Sequence, residues 1–167
     1  MTFPPGMIRH LAMIWLWLAC ALGAGSARAQ LTEAGVEQFL VELEAADQRR
    51  DAAAVIGALA DDVIIVFRYA ALGDIPDSRF SKAQYRDYLA EAYAAVQDHS
   101  SRRYGTRITL SDDGQQAEVF ANVEETTTLQ GKTSVHVSQQ YVLIRLEGGV
   151  PRIKRVFAEL LNEGSDT

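Results

Sequence analysis

The order of hydrophobic patterns after residue 30 is the feature that most constrains the fold. Three helical patterns come first, and a short apolar run typical of a strand lies between the second and third. Four strand patterns separated by turn sequences then fill residues 103–160 without a break. Helices followed by a long antiparallel meander predict an α+β fold in which a curved sheet wraps around the helices. Such a fold encloses a pocket.

Capping residues place the three helices. Thr32, Asp51 and Ser81 each precede a helical pattern, and Gln84 completes a capping box with Ser81. The predicted helices span residues 33–50, 52–60 and 82–98.

Alternating or β-branched runs place the strands. Val63–Phe67 is an unbroken run that predicts a strand buried on both faces. Asp113-Gly114 supplies the positive φ of a tight hairpin turn. The later strands are predicted over residues 104–110, 117–123, 133–146 and 150–160. Residues 70–80 are predicted to be a loop, and residues 99–101 a polar link.

The N-terminal segment, residues 1–29, is predicted to be a signal peptide. Arg9 and His10 precede an apolar stretch, and Ala27-Arg28-Ala29 forms a cleavage site before Gln30. Two alternatives stay open. One is a membrane anchor, although the apolar run is shorter than the ~20 residues that span a bilayer. The other is a lipoprotein attached through Cys20. A signal peptide implies a periplasmic or secreted protein.

Removal of this leader changes the composition of the chain. The only cysteine and both tryptophans are lost, which excludes a disulfide, a thiol nucleophile and cysteine metal ligands. The remaining 138 residues are enough for a single core. We therefore expect one domain over 30–161 and a disordered tail over 162–167.

Charge and histidine content exclude further classes. The formal charge of −6 becomes about −8 without Arg9 and Arg28, so nucleic-acid binding is not expected. His99 and His136 are the only histidines after the leader, and no ligand spacing accompanies them. We expect no metal, no cofactor and no membrane span after cleavage.

Three segments carry a resemblance to a known family: AAAVIGALADDVIIVFRY, SKAQYRDYLAEAYAAV and YVLIRLEGGVPRIKRVFAEL. With the long first helix, they resemble the nuclear transport factor 2-like superfamily, which includes ketosteroid isomerases and SnoaL-like polyketide cyclases. The resemblance covers nearly all of 31–160. It implies a cystatin-like cone, with three N-terminal helices on a curved antiparallel sheet, and a homodimer formed through the outer sheet face.

The resemblance does not carry over a catalytic set. Ketosteroid isomerases have an Asp general base late in the first strand, and that position falls at Phe67, which cannot abstract a proton. In polyketide cyclases an acid–base carboxylate lines the pocket. Glu124, Glu125 and Glu159 are the candidates here by location.

The residues themselves also suggest acid–base groups. His136 lies within a predicted strand, and an imidazole suits proton transfer near neutral pH. The alternative is a structural or exposed histidine, because Val135, Val137 and Tyr141 share the other strand face. His99, in its polar link, is predicted to be solvated.

The two adjacent glutamates are informative because consecutive strand residues face opposite ways. One of Glu124 and Glu125 must face the concave side if the strand stays regular, and burial there would raise its pKa. The alternative is that the strand leaves the core and both are hydrated. Glu159 shares a face with Phe157, where it could meet Arg155 or a ligand.

Aromatic side chains are expected to converge between the third helix and the sheet, as a wall for a flat apolar ligand or as ordinary core. They are Phe67, Tyr85, Tyr88, Tyr93, Tyr104, Phe120 and Tyr141.

The leading hypothesis from sequence is an exported pocket protein without catalysis. It would bind a small apolar or amphipathic molecule or serve as an accessory module. Two alternatives remain. One is an isomerase, cyclase or hydrolase that uses His136 or a pocket glutamate. The other is an interaction module that uses the outer sheet face.

Overall fold

The structure, a computed structural model, describes residues 29–69 and 76–165, with side chains up to Leu161. The predicted signal peptide, apart from Ala29, lies outside the described residues. So do residues 70–75 of the predicted loop and 166–167 of the predicted tail. The helices are α1 (Glu33–Gln48), α2 (Ala52–Gly57) and α3 (Lys82–Ala95). The strands are β1 (Leu59–Arg68), β2 (Ser78–Phe80), β3 (Asp98–Leu110), β4 (Gln116–Leu129), β5 (Lys132–Glu147) and β6 (Val150–Ser165).

The three predicted helix caps are confirmed. The Thr32 hydroxyl accepts a hydrogen bond from the Gly35 N–H at 3.0 Å, and the Asp51 carboxylate accepts one from the Ala54 N–H at 3.0 Å. Ser81 and Gln84 form the reciprocal capping box. Each cap satisfies a backbone donor that the first turn leaves free, so the sequence places the helix starts correctly.

The six strands form one curved sheet in the order β2-β1-β6-β5-β4-β3. The α+β class is confirmed, but the expectation of a purely antiparallel sheet is wrong. The strands β1 and β6 are parallel, while the other neighbours are antiparallel. A parallel pair needs a long connection, and everything from β2 to β5 lies between β1 and β6 in the chain.

Several strands extend beyond their predicted ranges because they have long-range partners. Ser78–Phe80, in the predicted loop, pairs with β1. The predicted link 99–101 belongs to β3 and pairs with Glu125–Thr127 of β4, which stays in the sheet through Leu129. The segment predicted to be a disordered tail is strand through Ser165, because 162–165 pair with the start of β5.

The hydrophobic core lies between α1 and the concave face of the sheet. Val36 of α1 and Ile144 of β5 have no exposed surface, and Ile65 and Val119 are almost as deeply buried. A second cluster, formed by Ala46, Val55 and Leu89, joins the three helices. The helices therefore cover one face of the sheet, and the other face is convex.

Among the helices in the described ranges, none combines the length and apolarity that a membrane crossing requires.

We expect Ile144→Ala to lower the free energy of unfolding by about 2–5 kcal/mol, because it opens a cavity at a fully buried site. Urea denaturation followed by circular dichroism measures this loss. Val150→Ala is the control, since Val150 is 47% exposed and its truncation should change stability by less than about 0.5 kcal/mol. Equal effects of the two substitutions would contradict this placement of the core.

Candidate functional site

A cavity of about 200 Å³ lies between the helices and the concave face of the sheet. Most of its wall is aliphatic or aromatic, with Ile65 and Phe67 from β1 and Tyr85 from α3 among the lining residues. Polar side chains line the remainder of the wall: Glu44, Asp47, Ser101, Arg103, Glu125 and Gln140. The cavity therefore combines an apolar wall with a small set of ionisable groups.

The register of β4 decides which of its side chains enter the cavity. Val119, Ala121, Val123 and Glu125 all line it, as the period of two along a strand requires. Glu124 faces the other way, where the Arg102 guanidinium donates to it at 3.2 Å. Since β4 stays regular through this segment, Glu125 is the glutamate that lies on the concave side.

The most organised polar group of the site joins α1, α3 and β3. His99 Nε2 lies 2.8 Å from Asp47 Oδ2, and the Tyr93 hydroxyl donates to Asp47 Oδ1 at 2.6 Å. The side chains of His99 and Asp47 are only 13% and 28% exposed. Asp47 lines the cavity. His99 is not among the lining residues, but it has the same position in the strand alternation of β3 as Ser101 and Arg103, which are.

The electrostatics of this group favour an ion pair. The hydrogen bond to Asp47 raises the pKa of His99, and partial burial opposes it less strongly. Burial by itself would raise the pKa of Asp47, but the hydrogen bonds from His99 and Tyr93 outweigh it and hold that pKa below its usual range. Burial raises the pKa of Tyr93, and its bond to Asp47 adds to that effect. Tyr93 therefore stays a neutral donor.

Backbone contacts hold the end of α1 against β3. The Arg50 guanidinium donates to the carbonyls of Val96 and Gln97, each at 2.8 Å, and Gln48 Nε2 donates to the Ser101 carbonyl at 3.2 Å. Because Val96 and Gln97 directly precede β3, these bonds fix the start of that strand. His99 is thereby held opposite Asp47.

A second ion-pair group lies about one to three turns earlier along α1. Arg103 donates to both oxygens of Glu37, at 2.6 and 3.1 Å, to the Thr106 hydroxyl at 2.6 Å, and to Glu44. Its side chain is only 11% exposed. Burial by itself would lower the pKa of Arg103, but the two carboxylates outweigh it and raise that pKa. Two carboxylates thus already neutralise this guanidinium.

Glu125 differs from the other charged groups of the cavity because its carboxylate makes no hydrogen bond to any group in 29–69 or 76–161. Burial raises the pKa of Glu125, and the charge of Asp47 adds to this effect. His99 and His136 act in the opposite direction. This carboxylate is therefore more basic than an ordinary one, and both of its oxygens are free to accept a proton.

The predicted aromatic wall is only partly assembled. Phe67 and Tyr85 line the cavity, 6.2 Å apart between ring centroids. Tyr88 packs on Phe67 at 6.3 Å and is 44% exposed, and Tyr93 holds Asp47.

The other three aromatic candidates lie on the convex face, as does Glu159. Phe120 pairs with Tyr141 across the strands at 5.0 Å between ring centroids, and Arg102 lies over the Tyr104 ring. Glu159 pairs with the exposed Gln139 of β5. The prediction that these side chains would share the pocket is wrong. Alternate residues of a strand face opposite sides of the sheet, and each of these four occupies a position that faces the convex side.

Neither histidine is among the residues that line the cavity, and His99 is more buried than the sequence suggested. His136 lies opposite Glu125 on the concave face, but it does not line the cavity, and its Nε2 contacts Ser134 Oγ at 3.1 Å. His99, predicted to be solvated, forms the buried pair with Asp47. The polar sequence around residue 99 gave no indication of a strand. Asp47, the partner of His99, is 52 residues away in the chain. No local signal identifies such a pair.

Across the described residues, no three His, Cys, Asp or Glu side chains lie close enough together to hold a metal ion.

Comparisons with solved structures identify the architecture. A scytalone dehydratase-like protein of Novosphingobium aromaticivorans superposes with a TM-score of 0.67 at 10% identity, over 79% of this chain and 85% of that one. A hexachlorocyclohexane dehydrochlorinase of Novosphingobium barchaimii gives 0.66 at 9% identity, over 80% and 89%. A ketosteroid isomerase-like protein of Erwinia carotovora atroseptica gives 0.58 at 20% identity, over 79% and 99%.

The chain has the cone fold of the nuclear transport factor 2-like superfamily. This confirms the resemblance seen in the sequence. Identities this low show the fold alone. No family model and no curated protein matches the sequence.

The His99–Asp47 pair predicts a pH-dependent contribution to stability. The folded state raises the pKa of His99 above its ordinary value of about 6.5, so it binds the proton more tightly than the unfolded chain does. The contribution is complete below about pH 6.5 and is lost as the pH rises through the raised pKa. We expect the stability difference between wild type and His99→Gln to shrink over that interval, as urea denaturation at stepped pH measures.

Asp47 sets the lower limit of the pH range over which the His99–Asp47 pair contributes to stability. Its pKa is lowered on folding, so its contribution is present above about pH 3.9 and is lost as the pH falls through the lowered value. Asp47→Asn should shift the NMR titration midpoint of the His99 imidazole downward. A midpoint that Asp47→Asn leaves unchanged would show that the two side chains do not pair in solution.

Proposed function

We propose that this protein is an acid–base enzyme of the isomerase or lyase type. It transfers a proton to or from a small, uncharged, largely apolar substrate in the cavity. The His99–Asp47 pair carries the proposal. It is an imidazole at hydrogen-bond distance from a carboxylate that lines an apolar cavity.

The pair has the parts that proton transfer requires. An imidazole changes charge near neutral pH, and a buried carboxylate fixes its orientation and tunes its pKa. The Tyr93 hydroxyl donates to the other oxygen of Asp47, so both oxygens of this carboxylate already have partners and its role is to orient His99. His99 Nδ1 makes no hydrogen bond in the described part of the chain, and the proposal places the substrate within reach of it, in the cavity that Asp47 lines.

The walls of the cavity support a choice of substrate. Its volume of about 200 Å³ is below the ≈ 300–1,000 Å³ of sites for drug-sized ligands, which favours one or two rings. Phe67 and Tyr85 suit the flat face of such a ring. An anionic substrate is disfavoured, because Glu44, Asp47 and Glu125 line the cavity and Arg103 is already paired.

The names of the structural neighbours are consistent with this chemistry. A dehydratase, a dehydrochlorinase and an isomerase each act by moving a proton on or off carbon, in two cases with loss of a leaving group. Because the shared feature is only the fold, these names suggest probes for this chain and assign none of their substrates to it.

The sequence-based hypothesis of a binder without catalysis accounts for the cavity but not for the His99–Asp47 pair. It rested on Phe67, which stands where an isomerase base would be. The candidate acid–base groups come instead from α1, β3 and β4. We therefore favour the enzyme over the binder.

Hydrogen–deuterium exchange on β-tetralone tests the proposal without knowledge of the natural substrate. This uncharged bicyclic ketone carries exchangeable protons beside its carbonyl. We expect the protein to accelerate their exchange in D₂O, as measured by NMR. His99→Gln and Asp47→Asn should each lower the acceleration by about 10²–10⁴-fold, the usual contribution of a general acid or base.

Matched controls separate catalysis from folding. Asp87→Asn changes an exposed aspartate of α3 and should keep the exchange rate. Scytalone, hexachlorocyclohexane and a ketosteroid form a second panel of probes. Binding of β-tetralone with no exchange would support the binder and contradict the enzyme.

We further propose that the protein acts outside the cytoplasm, on the strength of the predicted signal peptide. Native mass spectrometry of protein isolated from the periplasm should give a polypeptide that begins at Gln30. The mass of the complex would also test the expected homodimer. A chain that keeps residues 1–29 would contradict cleavage.

A further inference from the structure

Glu125 and Ser101 put a carboxylate and a hydroxyl side by side on the cavity wall. They lie directly opposite each other in the β3–β4 ladder, and both line the cavity. Side chains at directly opposed positions on one sheet face have Cβ atoms about 4.5–5.5 Å apart. One donor group of a ligand can therefore meet both oxygen acceptors at once.

Neither of these side chains is engaged elsewhere in the described ranges. The Glu125 carboxylate makes no hydrogen bond there, and Ser101 is held through its backbone carbonyl, which accepts from Gln48. Glu125 is only partly buried, and no fully buried polar side-chain atom of the described residues lacks a partner. Water can therefore solvate this carboxylate, and a ligand that meets it has no protein contact to break.

The charged groups of the cavity wall leave an excess of negative charge. Arg103 faces two carboxylates of α1, so that group keeps one uncompensated negative charge. His99 at most neutralises Asp47. Glu125 adds a carboxylate that no cation bonds in the described part of the chain. A concave, low-dielectric site lined by one sign of charge attracts a ligand of the opposite sign.

Two histidines act on Glu125 from a distance without bonding to it. Burial raises the pKa of Glu125, and the charge of Asp47 adds to this effect, whereas His99 and His136 lower that pKa. The Nε2 atom of His99 lies 2.8 Å from Asp47, and that of His136 lies 3.1 Å from Ser134 Oγ. The place of a hydrogen-bonded counter-ion at Glu125 is thus open to a ligand.

Aromatic rings lie near the same carboxylate. Tyr85 lines the cavity, and its ring centroid is 6.2 Å from that of Phe67. Burial raises the pKa of Tyr85, and the charges of Asp47 and Glu125 add to that effect, so this phenol lies within reach of both carboxylates and stays neutral. The face of such a ring attracts a cation. The wall around Glu125 therefore combines a negative charge, a hydroxyl and a ring face.

We propose that the cavity binds a small hydrophobic amine in its protonated form, with Glu125 as its counter-ion. The ammonium group donates to Glu125 and Ser101 and lies against the Tyr85 ring, while the hydrocarbon part contacts the apolar wall. An ammonium has three donors and no acceptor, which suits a carboxylate that only accepts. This ligand class goes beyond the proposed function, because its binding needs no proton transfer, and it competes with an uncharged substrate for the same space.

Three ligands with the same bicyclic framework test the charge preference. They are β-aminotetralin, a cation at neutral pH, the uncharged β-tetralone, and the β-carboxylate of tetralin, an anion. Isothermal titration calorimetry gives the Kd of each. We expect the amine to bind at least about tenfold more tightly than the ketone, because a hydrogen bond between charged partners is stronger than a neutral one. The carboxylate should bind most weakly.

Glu125→Gln should weaken binding of the amine by about 10–100-fold, since a neutral amide cannot balance the ammonium charge. It should not weaken binding of the ketone, which shows that the cavity keeps its shape. Glu124→Gln is the matched control, because this glutamate meets Arg102 on the convex face and should leave all three Kd values unchanged. Tyr85→Leu should weaken the amine more than the ketone, whereas Tyr85→Phe keeps a ring face.

The possible failures are distinguishable. Ketone binding as tight as amine binding would overturn this inference, and so would an amine preference that Glu125→Gln leaves unchanged. Either result leaves the proposed function standing, because proton exchange measures it separately. A preference for the amine that Glu125→Gln abolishes, in a protein that exchanges no proton of β-tetralone, would support this inference and contradict the proposed function. A protein that binds none of the three ligands and exchanges no proton would overturn both.

Discussion

The polar contact between the end of α1 and the start of β3 is the interaction on which the candidate site depends. The bonds from Gln48 and Arg50 to backbone carbonyls fix the spacing of helix and strand. Within that spacing, Asp47 meets His99. Glu44, about one turn earlier, and Glu37, about three turns earlier, both meet Arg103. Without this contact, α1 would rest on the sheet through apolar packing alone, which does not set register with the same specificity.

The same contact explains how charges exist beside an apolar cavity. Removing an ion from water is costly unless a partner and hydrogen bonds compensate it. Asp47 has two donors and Arg103 has three acceptor side chains, so both are compensated. Glu125, the other carboxylate of the cavity wall, makes no hydrogen bond to a described residue and is only partly buried.

The fold itself is a scaffold, and alternation along its strands selects which chemistry faces the cavity. Glu124 and Glu125 are adjacent in sequence, yet one meets Arg102 on the convex face and the other lines the cavity. Phe67 supplies apolar wall where an isomerase would have its base. The charged groups of the cavity wall come instead from α1, β3 and β4.

The sequence by itself determined the local features: the three helix starts, the hairpin turns and the α+β class. Caps, periodicity and turn residues act within a few positions of the chain and are visible there. The tertiary structure alone decided the parallel β1–β6 pair, the strand character of residues 99–101 and the pairing of His99 with Asp47. Each depends on a partner far away in the chain, and His99 and Asp47 are 52 residues apart. Local composition around residue 99 is polar, so only the ladder with β4 and the docked end of α1 make that histidine part of a site.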